Sequence, residues 1–161
     1  MAYQVWILRH GEAVAHDSRG SDDDRELTPR GELQASAAGT ALSRLGVELA
    51  ACYSSPKLRA RDTARIACRS LNVEPHELMS LGGGFDLADA RDLLLAHDPG
   101  DHVLVVGHEP DLSQLVHDAT GARIDMKKGG LASVGLDGSQ GELLVLLRPR
   151  ELEALAVGTI A

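Results

Sequence analysis

Aromatic side chains are nearly absent. Trp, Tyr and Phe together make up 2% of the 161 residues, so a core must be aliphatic, assembled from Leu, Val and Ala, which suits helices packed on a sheet. Cysteine is scarce as well. Cys52 falls in an expected strand and Cys68 well along the helix after it; in a reducing compartment both are expected as buried small hydrophobes rather than as a disulfide or a metal pair. No excess of positive charge exists. The formal net charge is -8, which works against attraction to DNA, RNA or anionic membrane, so neither a nucleic acid nor a membrane is expected as a partner. Long apolar runs are lacking too, and residues 1–9 carry neither a basic n-region nor an export-length apolar segment, so a cytoplasmic location is expected. Internal repeats, linkers and shifts of composition are missing, which leaves a single domain over residues 1–161 as the expectation.

Several cofactor signatures are also missing. His108-Glu109-Pro110-Asp111-Leu112 lacks the second histidine of a zinc-binding HExxH. The Asp22-Asp23-Asp24 triplet lacks the glycine spacing of a calcium loop and reads as a solvated loop. Gly82-Gly83-Gly84 is no dinucleotide fingerprint, because it comes after no strong strand.

What is present is an alternation of strands and helices. Residues 3–8 read as a buried strand that ends abruptly at Arg9-His10-Gly11. Thr28 as N-cap and Pro29 at the first helical position begin a helix that runs to about Leu45 or Gly46. Residues 50–54 suggest a second strand, and a helix starting at Ser55-Pro56 places Arg59 in its first turn. Residues 72–85 are rich in turn formers, with room for one weak strand. A helical spacing covers residues 87–96, and residues 102–106 form an apolar strand closed by Gly107-His108. Another helix starts near Pro110, residues 131–136 and 142–148 form a closing hairpin, and residues 149–161 have room for a short terminal helix. The pattern predicts a three-layer α/β/α sandwich whose central sheet is mostly parallel with an antiparallel edge strand.

In such sheets ligands bind beyond the carboxyl ends of the parallel strands. His10 and His108 both leave strands at that rim, and Arg59 lies near a helix N-terminus facing it. Two arginines and two histidines inside an acidic protein make a positive pocket suited to a phosphoryl dianion. A neutral imidazole accepts phosphorus if one ring nitrogen carries a bonded proton and the other presents its lone pair, which is the part expected of His10. The planar forks of Arg9 and Arg59 suit the equatorial oxygens, with Gly11 expected beside them as a phosphate-binding residue, and His108 stabilises charge developing there. His16, His76, His97, His102 and His117 lack such company and read as surface or structural.

Four ordered segments, Leu8-Arg9-His10-Gly11-Glu12, Leu27-Thr28-Pro29-Arg30-Gly31, Ser54-Ser55-Pro56-Lys57-Leu58-Arg59-Ala60-Arg61-Asp62-Thr63-Ala64 and Val106-Gly107-His108-Glu109-Pro110, resemble the histidine phosphatase (phosphoglycerate mutase-like) superfamily. The compact length and Lys127-Lys128-Gly129-Gly130-Leu131-Ala132-Ser133 resemble its short SixA-type phosphohistidine phosphatases. The resemblance implies a phosphoglycerate mutase-like fold and a hydrolase with His10 as nucleophile. It also implies Arg9, Arg59 and His108 as phosphate ligands, and no metal or cofactor.

Ester-cleaving relatives usually carry a glutamate acid in an L-x-E run, where this chain reads Leu78-Met79-Ser80. Asp86 or Asp89 is the candidate substitute. The missing acid favours phosphohistidine, whose imidazole leaves with little assistance. The expected substrate is thus a phosphorylated protein, in a signalling setting, acted on by a monomer. The alternatives are a phosphatase or mutase for a small phosphorylated metabolite, and a non-catalytic phosphate-recognising module.

Overall fold

The computed structural model describes residues 2–158 apart from residues 18 and 139. The strands are β1 (Tyr3–Arg9), β2 (Ala51–Ser54), β3 (Pro75–Glu77), β4 (His102–Gly107), β5 (Leu131–Asp137) and β6 (Gln140–Leu147). The helices are α1 (Pro29–Arg44), α2 (Leu58–Cys68), α3 (Leu87–Leu94), α4 (Asp111–Thr120) and α5 (Pro149–Val157). Short 3-10 turns occupy Asp22–Asp24 and Met79–Gly82.

The strands form one sheet in the order β3-β2-β4-β1-β5-β6. Pairing is parallel from β3 through β1, and antiparallel from β1 to β5 and from β5 to β6. This is the expected mostly parallel sheet with an antiparallel hairpin on one side. Alternate residues of each strand feed two cores, as the two-residue period of a strand requires. Trp6 and Leu8 of β1 and Leu104 and Val106 of β4 pack with α1, α2 and Leu152 of α5. Val5, Ile7, Val103 and Val105 pack on the opposite face with Ala90 and Leu94 of α3 and Leu112, Leu115 and Val116 of α4. The aliphatic core anticipated from composition is therefore split by the sheet into two layers.

Local chemistry accounts for most element boundaries. The Thr28 hydroxyl accepts from the Gly31 amide at 3.0 Å, capping α1 as anticipated. α2 begins two residues later than Ser55-Pro56 suggests, because Ser55 lies outside the helix and its hydroxyl accepts from the Lys57 amide at 3.1 Å. β3 lies in the turn-rich stretch and pairs parallel with β2 over only three residues. Cys52 and Cys68 are free thiols buried in the same core. α5 supplies the terminal helix; residues 159–161 lie outside the described residues. Among the described residues no helix is long and apolar enough to cross a membrane.

Strand order also decides which residues share the carboxyl edge of the sheet. β2, β4 and β1 are consecutive neighbours with aligned register, Ser54 beside Val106 and Arg9 beside Gly107. Their carboxyl ends therefore deliver Ser55, His108 and His10 side by side.

Candidate phosphoryl pocket

His10, Arg59 and His108 are buried polar residues with only 6%, 6% and 8% of their surface exposed. The His10 and His108 rings lie 5.2 Å apart between centroids and tilt by 52°, a separation set by the roughly 4.8 Å between neighbouring strands. His10 Nδ1 lies 2.7 Å from the Gly11 carbonyl oxygen. A carbonyl only accepts, so Nδ1 carries the proton and Nε2 keeps its lone pair.

A close-packed loop fixes that arrangement. A Cβ added at Gly11 would lie 2.5 Å from the Gly31 carbonyl oxygen, and one added at Gly31 would lie 2.0 Å from that of Glu12. Two glycines thus let the segment after β1 press against the start of α1. The Glu12 amide donates to Gln34 Oε1 at 2.9 Å, and the Thr28 hydroxyl donates to the Glu12 carboxylate at 2.7 Å. Behind the loop the Gly129 amide donates to the carbonyls of Arg9 and His10 at 3.2 and 3.0 Å.

Each arginine is held from one side. Arg9 Nη1 donates to the Met126 carbonyl at 2.9 Å. Met126 is itself tied down, since its amide donates to the Ser113 hydroxyl at 3.1 Å while that hydroxyl donates to Glu109 Oε2 at 2.5 Å. Arg59, the second residue of α2, donates through Nη1 to the Asp22 carbonyl at 2.8 Å and through Nη2 to Asp22 Oδ2 at 3.2 Å. Asp22 also binds Arg25 at 3.2 Å. The acidic triplet is therefore more than the solvated loop its sequence suggests: its first member anchors Arg59. Partial burial works against ionisation of Asp22, yet the bond to Arg25 and the charge of Arg59 hold its carboxyl below the usual range.

Among the described residues, the buried side-chain nitrogens and oxygens without a partner are Arg9 Nε, Arg59 Nε and His108 Nδ1. All three belong to the side chains grouped with His10. A buried polar group left unpaired costs roughly 1–3 kcal/mol, so three in one place suit a site that takes a polar ligand.

Two of the expected site residues have other partners in the structure. The Gly11 amide donates to Thr63 Oγ1 at 3.0 Å, and that hydroxyl donates to the Arg59 carbonyl at 2.7 Å. Gly11 therefore serves the pocket through its carbonyl and its lack of a side chain, with its N–H already bonded. Asp86 caps α3, accepting from the Asp89 amide at 2.9 Å while Asp89 accepts from the Asp86 amide at 3.1 Å. That reciprocal box engages one oxygen of each carboxylate the sequence offered as a general acid. Of the remaining histidines, His102 accepts from the Trp6 indole at 3.0 Å and His97 shares a 2.8 Å bond with the Tyr53 hydroxyl. Among the described residues no group of three or more His, Cys, Asp or Glu is placed to hold a metal ion.

Burial governs the charge of the pocket. Desolvation pushes His10 from 6.5 to about 4; the bond to Gly11 opposes this, and the charges of Arg59, Arg9 and Lys128 reinforce it. His108 is pushed from 6.5 to about 3, first by burial and then by His10, Arg59 and Lys57, against the pull of Asp22. Burial also draws the Arg9 guanidinium below its ordinary value, while Glu109 and Asp125 hold it up. At neutral pH the site thus joins neutral imidazoles to charged guanidinium groups.

Linkage turns these shifts into a dependence of stability on pH. Both folded-state values lie below that of the unfolded chain, so as pH falls through 6.5 the unfolded state takes up protons that the native state refuses. Stability is full above 6.5 and declines towards the folded values near 4 and 3. Between pH 6.5 and 5 the loss from His10 approaches roughly 2 kcal/mol. Urea denaturation is expected to show a lower midpoint at pH 5 than at pH 7, with a shallower decline in His108→Gln. A midpoint that holds constant or rises on acidification contradicts this electrostatic picture.

Paired histidines flanked by arginines at the carboxyl edge of such a sheet suit an enzyme that handles phosphoryl groups. The chain belongs to the histidine phosphatase superfamily, branch 1, whose family profile matches residues 5–82. Its structure is of the SixA type: the protein histidine phosphatase SixA complexed with tungstate superposes with a TM-score of 0.82 at 29% identity, covering 92% of this chain and 99% of that one. An uncharacterized protein of Picosynechococcus sp. is 30% identical over 80% of this chain and 82% of its own length. The mitochondrial serine/threonine-protein phosphatase Pgam5 of Drosophila yakuba is 30% identical over 77% of this chain, a stretch that makes up 38% of that protein. The protein is thus a phosphatase, and the phosphoglycerate mutase-like fold expected from sequence is the fold observed.

Proposed function

We propose that the protein removes the phosphoryl group from phosphohistidine on another protein, by way of a phosphorylated His10. In the first step a bond forms between His10 Nε2 and phosphorus while the substrate P–N bond breaks, and the departing imidazole takes its proton from solvent. Water then attacks phosphorus, the P–Nε2 bond breaks, and inorganic phosphate leaves. Arg9 and Arg59 clamp the equatorial oxygens, and His108 donates to one of them. Throughout, the proton of His10 stays on Nδ1, donated to the Gly11 carbonyl.

The observation that carries this reading is the unpaired trio of Arg9 Nε, Arg59 Nε and His108 Nδ1 around an imidazole whose proton is fixed on Nδ1. The choice of leaving group rests on the carboxylates. Asp86 and Asp89 cap each other at the start of α3, and Arg25 and Arg59 hold the Asp22 carboxyl below its usual range, so none of them is assigned as an acid. A leaving imidazole has least need of one, being far less basic than an alkoxide. Likeness to SixA supports the same substrate class.

A second reading, phosphoserine or phosphothreonine on a protein, draws on the likeness to Pgam5. A panel of a phosphohistidine protein, a phosphoserine peptide and a small sugar phosphate separates the two. We expect kcat/KM for phosphohistidine to exceed that for either ester by roughly 10²-fold or more, the range that a protonated leaving group typically contributes to ester cleavage. Equal or faster ester turnover rejects the phosphohistidine reading and leaves the phosphatase.

A further inference from the structure

Sequence alone shows Ser55 only as part of a helix start. In the fold it is fully buried, at 0% exposure, directly beyond β2. Its hydroxyl oxygen lies 2.8 Å from His108 Nε2 and accepts from the Lys57 amide at 3.1 Å. A hydroxyl has a single proton to give. With the Lys57 N–H already directed at the oxygen, the ring nitrogen of His108 is the acceptor within reach of that proton.

We propose that Ser55 is a positioning residue that fixes the tautomer of His108, keeping Nε2 as an acceptor and thereby placing the proton on Nδ1. Nδ1 is the nitrogen of this ring that is buried without a partner. In this tautomer the ring presents an N–H donor to a phosphoryl oxygen while remaining uncharged. The opposite tautomer has two costs. It strands the Ser55 hydroxyl proton in a buried site, and it aims the Nδ1 lone pair at an anionic oxygen. A neutral imidazole can therefore stabilise the oxyanion because a serine just beyond the neighbouring strand determines which nitrogen carries the proton. The roles of His10 and His108 are then complementary: in both rings Nδ1 bears the proton, yet His10 turns its proton onto the backbone and His108 turns its own towards the substrate. This inference rests on the proposed phosphoryl pocket, but not on which phosphorylated substrate fills it.

The test reads the tautomer directly. In the resting wild-type protein at neutral pH, long-range proton–nitrogen NMR correlations of histidine-labelled material, assigned by comparison with His108→Gln, are expected to show His108 protonated at Nδ1 and bare at Nε2. Protonation at Nε2 overturns the proposal, whatever the enzyme acts on. In Ser55→Ala the ring is expected to shift towards the Nε2-protonated form, with kcat lowered by between about 10-fold and the roughly 10⁴-fold that a wrong histidine tautomer costs where it is fully enforced. Ser55→Thr, which keeps the hydroxyl, is expected to restore both readings. A Ser55→Ala protein that keeps the Nδ1 tautomer and wild-type turnover of any accepted phosphorylated substrate overturns the assignment. Should either variant fold poorly, the wild-type spectrum decides alone. Failure of the phosphohistidine panel with the Nδ1 tautomer intact removes only the substrate reading.

Discussion

Replacing His10 with alanine is expected to lower turnover by roughly 10⁴-fold or more, the scale on which loss of a covalent nucleophile is felt. Among the described residues, this imidazole is the group in the pocket whose geometry leaves a ring nitrogen lone pair free beside two guanidinium groups. Its Nδ1 is tied to Gly11, and burial keeps it unprotonated down to about pH 4. Alanine removes the acceptor while sparing Arg9, Arg59 and His108, so the variant is expected to bind inorganic phosphate or tungstate still. Titration of tungstate against both proteins, alongside single-turnover kinetics, separates loss of chemistry from loss of the pocket. A variant that retains more than about a tenth of wild-type turnover contradicts a His10 intermediate, because a water-based route lacks the pre-positioned nucleophile.

Arg59 is expected to be nearly as sensitive. It is buried on α2, fastened to Asp22 through both terminal nitrogens, with Nε unpaired. Arg59→Ala removes a preorganised cation from a water-poor site, where loss of one such donor typically lowers kcat by about 10²- to 10³-fold. Arg59→Lys is expected to recover less than about a tenth of that loss, because an ammonium has no planar fork to bind Asp22 and an oxyanion at once. Steady-state kinetics of both variants test this. Full rescue by lysine would show that charge alone matters and that the fork geometry plays no part.

Sequence makes legible whatever local rules control. The run of residues into Arg9-His10-Gly11, the Thr28-Pro29 helix start and the apolar strand before His108 all obey period and capping rules, and the structure has β1, α1 and β4 there. The grouping of His10, Arg59 and His108 is legible through strand order, since parallel neighbours align their carboxyl ends. What escapes is the set of partners that orient those side chains. Asp22 lies 37 positions from Arg59, and Ser55 lies 53 from His108; no periodicity links such pairs. Thr63 is hidden similarly, because its use of the Gly11 amide depends on how α2 crosses the loop after β1. The Glu109 and Ser113 bracket beneath Met126 depends on the start of α4. By contrast, the capping of α3 is available: aspartates at 86 and 89 stand at the spacing of a reciprocal cap, which outweighs a catalytic reading of either.

The whole mechanism depends on phosphorus bonding to one particular nitrogen. Rapid acid-free quenching of the enzyme during turnover, then digestion and identification of the phosphohistidine isomer at residue 10, tests it most directly. The expected result is a stoichiometric, acid-labile, alkali-stable adduct carried on Nε2 of His10, because Nδ1 is engaged with the Gly11 carbonyl at 2.7 Å. An adduct on Nδ1, on His108 or on any hydroxyl, or turnover with no adduct at all, contradicts it.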